Sequence, residues 1–159
     1  MYKRQPFYSA DDYVHDRAVG YLARRVHQVS QAKLEPMFAE QGLTGTQWSA
    51  LVSIGFGRAR TGAELARDLS HDKGATTRLI DTLEEKGWVT RDRDAGDRRC
   101  INLALTPAGR AVALRCRERV IDCWNGWLGD WDRAEVEGLI ALLQKLRVTL
   151  DELGDAPCA

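Results

Sequence analysis

The chain has 159 residues, of which 23 are basic, 23 acidic and 44% hydrophobic. That length buries a core as one domain or as one compact unit with appended helices, and the cancelled charge excludes a polyanion binder that works by net charge alone. No apolar run reaches the length of a bilayer span, and the opening MYKRQPFYSADDYVHDR lacks the apolar centre of a signal peptide, so the expected location is the cytoplasm.

Residues 11–40 carry Tyr13, Val14, Val19, Leu22, Val26, Val29, Leu34 and Phe38 at a recurring three-to-four spacing, which predicts a long helix. Pro36 should bend or loosen its final turn. In GLTGTQWSALVSIG, Gly42 is a stop and Thr44 with Gln47 forms a capping box for a short helix ending near Gly55, with Trp48, Leu51, Val52 and Ile54 on its core side. A second box, Thr61 with Glu64, opens GAELARDLS, where Ala63, Leu65, Ala66 and Leu69 should pack inward. After the turn SHDK, the stretch GATTRLIDTLEEKG reads as a helix with Leu79, Ile80 and Leu83 as its apolar stripe and Gly87 as its stop. Two short helices joined by a tight turn are a helix-turn-helix candidate.

WVTRDRD and RCINLALT then read as strands, the second by the alternation of Ile101, Leu103 and Leu105, with the turn signal AG between them. The mixed charges of RDRDAGDRRC therefore gather at the tip of a hairpin, and a helix-turn-helix followed by a hairpin is a winged helix. Thr106 and Pro107 start another helix that runs to about Trp127. Asp132 with Glu135 caps a last one, whose Leu139, Leu142, Leu143, Leu146, Leu150 and Leu153 make a seam near the heptad period. That seam holds more leucine than a small domain needs for itself.

In this order the stretches resemble the MarR (multiple antibiotic resistance regulator) family of transcription factors, over nearly the whole chain. DAGDRRCINLALTPAG is similar to the family's wing signature, and GLTGTQWSAL and TRLIDTLEEKGWVTR match two further family stretches. The resemblance implies a mainly α fold with a small β-wing (α+β). A winged helix-turn-helix over residues 41–107 would be flanked by dimerising helices at 1–40 and 108–159. It implies a homodimer that binds a pseudo-palindromic double-stranded DNA operator, commonly as a repressor, and releases it when a small anionic aromatic effector binds. The leucine seam, at Leu139, Leu142, Leu143, Leu146 and Leu150, agrees with the dimer.

On that reading the helix from about Asp72 to Lys86 enters the major groove by its N-terminal half. Lys73, Thr76, Thr77 and Arg78 can reach phosphates or base edges there, and Gly74 and Ala75 allow close approach. Its other half, DTLEEK, is acidic and would be repelled by phosphate. On the wing, Asp97 can orient Arg98 or Arg99 for insertion into the minor groove, with Arg93 beside them as a further DNA contact. The alternative is a solvated, mutually paired hairpin. The family's effector pocket lies between the first helix, the second and the helix after the wing, where Arg24, Arg25, His27 and Trp48 could supply cation and aromatic wall.

Other classes find less support. Cys100, Cys116, Cys123 and Cys158 form no C-x-x-C pair and have no histidines at zinc spacing, so no metal and no cofactor is expected. Cys116 and Cys123 would share a helix face about 10 Å apart, too far for a bridge within the helix. A thiol-based redox-sensing regulator is one alternative, although the family's hydroperoxide sensors carry a cysteine near the start of the first helix and this chain has none before Cys100. His15, His27 and His71 could be ligands or pH-sensitive groups, or surface and capping residues. Trp124, Trp127 and Trp131 could line an aromatic pocket or serve packing. No Gly-rich phosphate loop, G-x-S-x-G or H-E-x-x-H is present, so no enzyme is expected. The second alternative, a winged-helix protein-interaction module that does not read DNA, needs an exposed apolar recognition face, whereas KGATTR is small and polar.

Overall fold

The computed structural model describes residues 6–93 and 101–153. In chain order it holds a 3₁₀ turn at His15–Arg17, then α1 (Val19–Glu40), α2 (Gly45–Gly55), α3 (Gly62–Asp68), α4 (Lys73–Glu85), β1 (Val89–Arg93), β2 (Ile101–Leu105), α5 (Pro107–Trp127) and α6 (Arg133–Leu153). The chain divides into two compact units within α5, one ending at Arg119 and the other beginning at Val120.

The long first helix starts later than its apolar spacing predicts. Ser9 and Asp12 close a local turn through the Ser9 hydroxyl, which donates to the Asp12 carboxylate and accepts from the Asp12 N–H. Such side-chain bonding competes with helix formation. Tyr8 then does at the start of α1 what a capping residue would do: its hydroxyl accepts from Val19 N–H and donates to Arg17 C=O. From there α1 runs through Pro36, and its C-terminal half buries Leu34, Met37 and Phe38. Its N-terminal apolar residues Val19, Leu22, Val26 and Val29 are exposed.

Both predicted capping boxes form. Gln47 N–H donates to Thr44 Oγ1 while Gln47 Oε1 accepts from Thr44 N–H, and Thr61 and Glu64 repeat the arrangement. The core of the winged helix is drawn from α2, α3, α4 and the strands: Leu51, Leu65, Leu83 and Val89 are almost wholly shut off from solvent, with Leu103 beside them. Ala63 corrects the expectation for α3, for it is exposed. Residues two apart on a helix point to opposite sides, and Leu65 has taken the inner one.

The strands pair antiparallel from Val89 opposite Leu105 to Arg93 opposite Ile101. The turn expected at Ala95 and Gly96 lies outside the described residues. The outer half of β2 is tied to the chain ahead of α3 by Leu103 N–H donating to Arg60 C=O, 2.7 Å, and by a bridge between Thr61 and Asn102. At the base of the hairpin, Thr106 Oγ1 donates to Gly87 C=O and accepts from Gly109 N–H, which locks the first turn of α5 to the strand entry. Within α5 the residues Val112, Cys116 and Val120, four apart, form the buried row. In α6 the cap is reciprocal between Asp132 and Glu135, and none of the helix's residues is buried.

Candidate nucleic-acid interface

The turn between α3 and α4 sets the start of the helix expected to read DNA. His71 N–H donates to Ala66 C=O, Ser70 takes a left-handed φ of 52°, and Asp72 caps α4 by accepting from Ala75 N–H at 2.8 Å. That backbone hydrogen bond, chief among the causes and aided by Arg78 and His71, holds the Asp72 carboxyl below its ordinary value of 3.8. A depressed folded-state value means that the cap stabilises the helix above the ordinary value and is lost as pH falls through the lower one. The melting-temperature gap between wild type and Asp72→Ala should therefore be full at neutral pH and close progressively below about pH 4. A gap that stays constant down to pH 2 would show that the carboxylate is not the cap.

The N-terminal half of α4 presents Lys73, Gly74, Thr77 and Arg78 to solvent, with Ala75 half-buried. Thr76 is a correction. It is 2% exposed and its hydroxyl donates to Asp72 C=O, so it belongs to the core and cannot reach a base edge. Thr77, 100° further round the helix, is exposed, its hydroxyl donating to Lys73 C=O at 2.9 Å. Arg93 ends β1, and Asp97, Arg98 and Arg99 lie outside the described residues.

Two basic residues that sequence reasoning left unassigned fix this unit. Lys86 Nζ donates to Gly42 C=O at 2.6 Å and to Gln47 Oε1 at 3.1 Å, and sits 4.8 Å over the Trp88 ring, joining the C-terminal end of α4 to the start of α2. Arg91 in β1 pairs with Asp81 and Glu84 of α4. Burial works against its charge, but the hydrogen bonds to the two carboxylates prevail and raise its pKa further above the ordinary value. The acidic half of α4 is thus answered by the wing.

Among the described residues, the four expected at an effector pocket stand at different places. Arg24 lies 5.8 Å from the Tyr21 ring in a groove with Tyr13 and His15, Arg25 is exposed, and His27 lines a separate polar cavity with Glu35, Asp68 and His71. Trp48 stacks on Phe38, ring centroids 5.3 Å apart, and points its Nε1–H at Ala113 C=O. A different cavity, about 220 Å³, opens between α2, the end of β2 and α5. Leu51, Val52, Leu105 and Leu114 make its apolar wall, and Arg110 and Arg117 stand at it, with the Arg117 guanidinium 5.8 Å from the Phe56 ring. The spacing Arg110, Leu114, Arg117 on one helix was the available signal, but nothing in it says what faces α5.

Of the cysteines within the described residues, Cys116 is fully buried and burial pushes its thiol up, against the pull of Arg115 and Arg119, while Cys123 is half-buried. Cys100 and Cys158 lie outside the described residues. No helix among the described residues is long and apolar enough to cross a membrane.

A family model described as MarR family matches residues 43–101, the stretch from the start of α2 into β2. The multiple antibiotic resistance protein MarR of Salmonella typhimurium is 37% identical over 101 residues, covering 62% of this chain and 70% of that protein. The transcriptional repressor MprA of Escherichia coli is 27% identical over 138 residues, 83% of this chain and 78% of that protein. Among solved structures, a mutant of Escherichia coli MarR complexed with operator DNA superposes with a TM-score of 0.71 at 32% identity, over 82% of this chain and 94% of that one.

Proposed function

The chain belongs to the MarR family, and on that premise we propose that it is a homodimeric transcriptional repressor, acting in the cytoplasm without a catalytic step, that leaves its operator when a small anionic aromatic molecule binds. The observation that carries DNA binding is the capped, exposed N-terminal half of α4, with Lys73, Thr77 and Arg78, standing beside a two-stranded wing. Similarity to a MarR protein solved with operator DNA supports it.

Repression and ligand response rest on further features. The apolar faces of α1 and α6 are exposed in a single chain, as surfaces awaiting a second copy are. The cavity between α2 and α5 pairs an apolar wall with two guanidinium groups, the complement of a one-ring aromatic acid. It abuts Leu105, the last residue of the wing strand, so a ligand there bears directly on the reading unit. A thiol switch is less well supported, because a fully buried Cys116 with a raised pKa is a poor nucleophile.

Duplexes selected from a random pool, then titrated at several salt concentrations, test the reading. Arg98→Ala and Arg99→Ala should weaken binding across sequences and lower the salt slope by about 1 for each phosphate no longer neutralised. Arg78→Ala should shift preference among half-site bases by roughly 1–3 kcal/mol if it reads a base edge. Wild-type binding from all three variants would mean the DNA face lies elsewhere. An effector must also weaken operator binding by the factor by which operator weakens effector binding. Arg117→Ala should remove that response while leaving operator affinity in place.

A further inference from the structure

We propose that Arg91 is a positioning residue that sets the wing against the recognition helix, so that its acidic partners Asp81 and Glu84 assist DNA binding although they carry the same charge as phosphate. The proposal rests on the DNA-binding reading above and names a determinant of it. On α4, Lys73, Thr77 and Asp81 follow one another at four-residue intervals and so lie in one row, with Glu84 three residues further on. A row that begins with a cation and a hydroxyl for DNA continues into two carboxylates, which by charge alone would push phosphate away.

Arg91 changes the meaning of those carboxylates. Along β1, Val89 and Arg91 stand two residues apart on one face of the strand. Val89 is buried, and the strand's entry is held to α4 by Trp88 N–H donating to Leu83 C=O at 2.9 Å. Arg91 supplies the next attachment outward: one terminal nitrogen of its guanidinium meets Asp81 and the other meets Glu84. A planar fork held at two points on successive turns of a helix fixes rotation as well as distance. Two residues later β1 ends, and the arginines expected to enter the minor groove follow in the chain. The direction in which β1 leaves α4 is therefore set at Arg91. One donor on each terminal nitrogen of Arg91 is committed to a carboxylate of α4, so its charge is already answered within the protein before DNA arrives.

The sign of one effect decides the matter. Binding of a selected operator duplex is measured for wild type, Asp81→Ala, Glu84→Ala, the double variant and Arg91→Lys, with hydroxyl-radical footprints of each complex. Electrostatics alone makes the double variant bind tighter, because two negative charges leave the neighbourhood of DNA and a guanidinium is set free. Positioning makes it bind about tenfold more weakly, a change of about 1.4 kcal/mol. Protection should be lost in the minor groove flanking each half-site and kept in the major groove, and Arg91→Lys, which keeps the charge but not the fork, should fall between. Surface ion pairs contribute at most about 1 kcal/mol to folding, so the variants should melt close to wild type. Unchanged or tighter binding by the double variant, or a footprint that fades evenly across the site, overturns the inference. If wild type itself binds no duplex, the DNA-binding reading fails and this inference with it.

Discussion

Gly109→Ala is expected to destabilise the protein by about 3 kcal/mol, the upper end for an overpacked site. A Cβ at Gly109 would overlap the Trp88 carbonyl oxygen and lie 2.8 Å from Trp88 C and 2.9 Å from its Cα. The obstruction is backbone, so no rotamer change relieves it. The neighbouring bonds allow no retreat either: Gly109 N–H donates to Thr106 Oγ1, which donates to Gly87 C=O, and Thr106 N–H donates to Trp88 C=O. Moving α5 away from Trp88 breaks this set. Since domains of this size are stable by only about 5–15 kcal/mol, the variant should melt far below wild type and lose operator binding with it. Gly126→Ala, in the same helix with nothing within 4 Å of the new methyl, should instead be neutral or stabilise by up to about 1 kcal/mol. Urea unfolding of the two variants checks the contrast; equal midpoints would mean that α5 does not start against Trp88.

Leu143→Asp and Leu142→Asp should each dissolve the proposed dimer. Both side chains are exposed in the single chain, 49% and 68%, so neither substitution disturbs the packing of α6 within its own unit. In a two-fold interface each substitution appears twice, and a carboxylate buried without a partner costs several kcal/mol. Sedimentation at micromolar concentration should show monomers with helical content retained. Operator affinity should fall by about 10²-fold or more, because joining two reading units makes the second binding event intramolecular. A variant that sediments as a dimer and still binds operator would place the interface elsewhere.

Much of the architecture could be read from short-range chemistry. The caps at Thr44, Thr61 and Asp132, the span of α4 and the two wing strands all depend on groups within about four residues of one another or on an alternation visible in a few positions. The candidate site was legible to the same depth: although its cap, Asp72, reads in sequence only as part of a turn, the small, polar start of α4 announces itself. Which of two adjacent threonines faces the core does not, since Thr76 and Thr77 differ in sequence context by one position and in structure by a face of the helix.

Local chemistry along the chain was enough to place most helix and strand boundaries and to mark the two wing strands as a pair, because caps, turns and periodicity are satisfied by near neighbours; the family came separately, from the likeness of whole stretches to its motifs. What each charge does was settled only by the folded arrangement. Arg91 answers Asp81 ten residues away and Glu84 seven away, Lys86 reaches Gly42 across 44 residues, and the arginines of α5 meet α2 at a cavity that no spacing reveals. An ion pair or a cavity wall exists only once chain segments distant in sequence have been brought within a few ångströms, and it is the shared core of Leu51, Leu65, Leu83 and Val89 that brings them there.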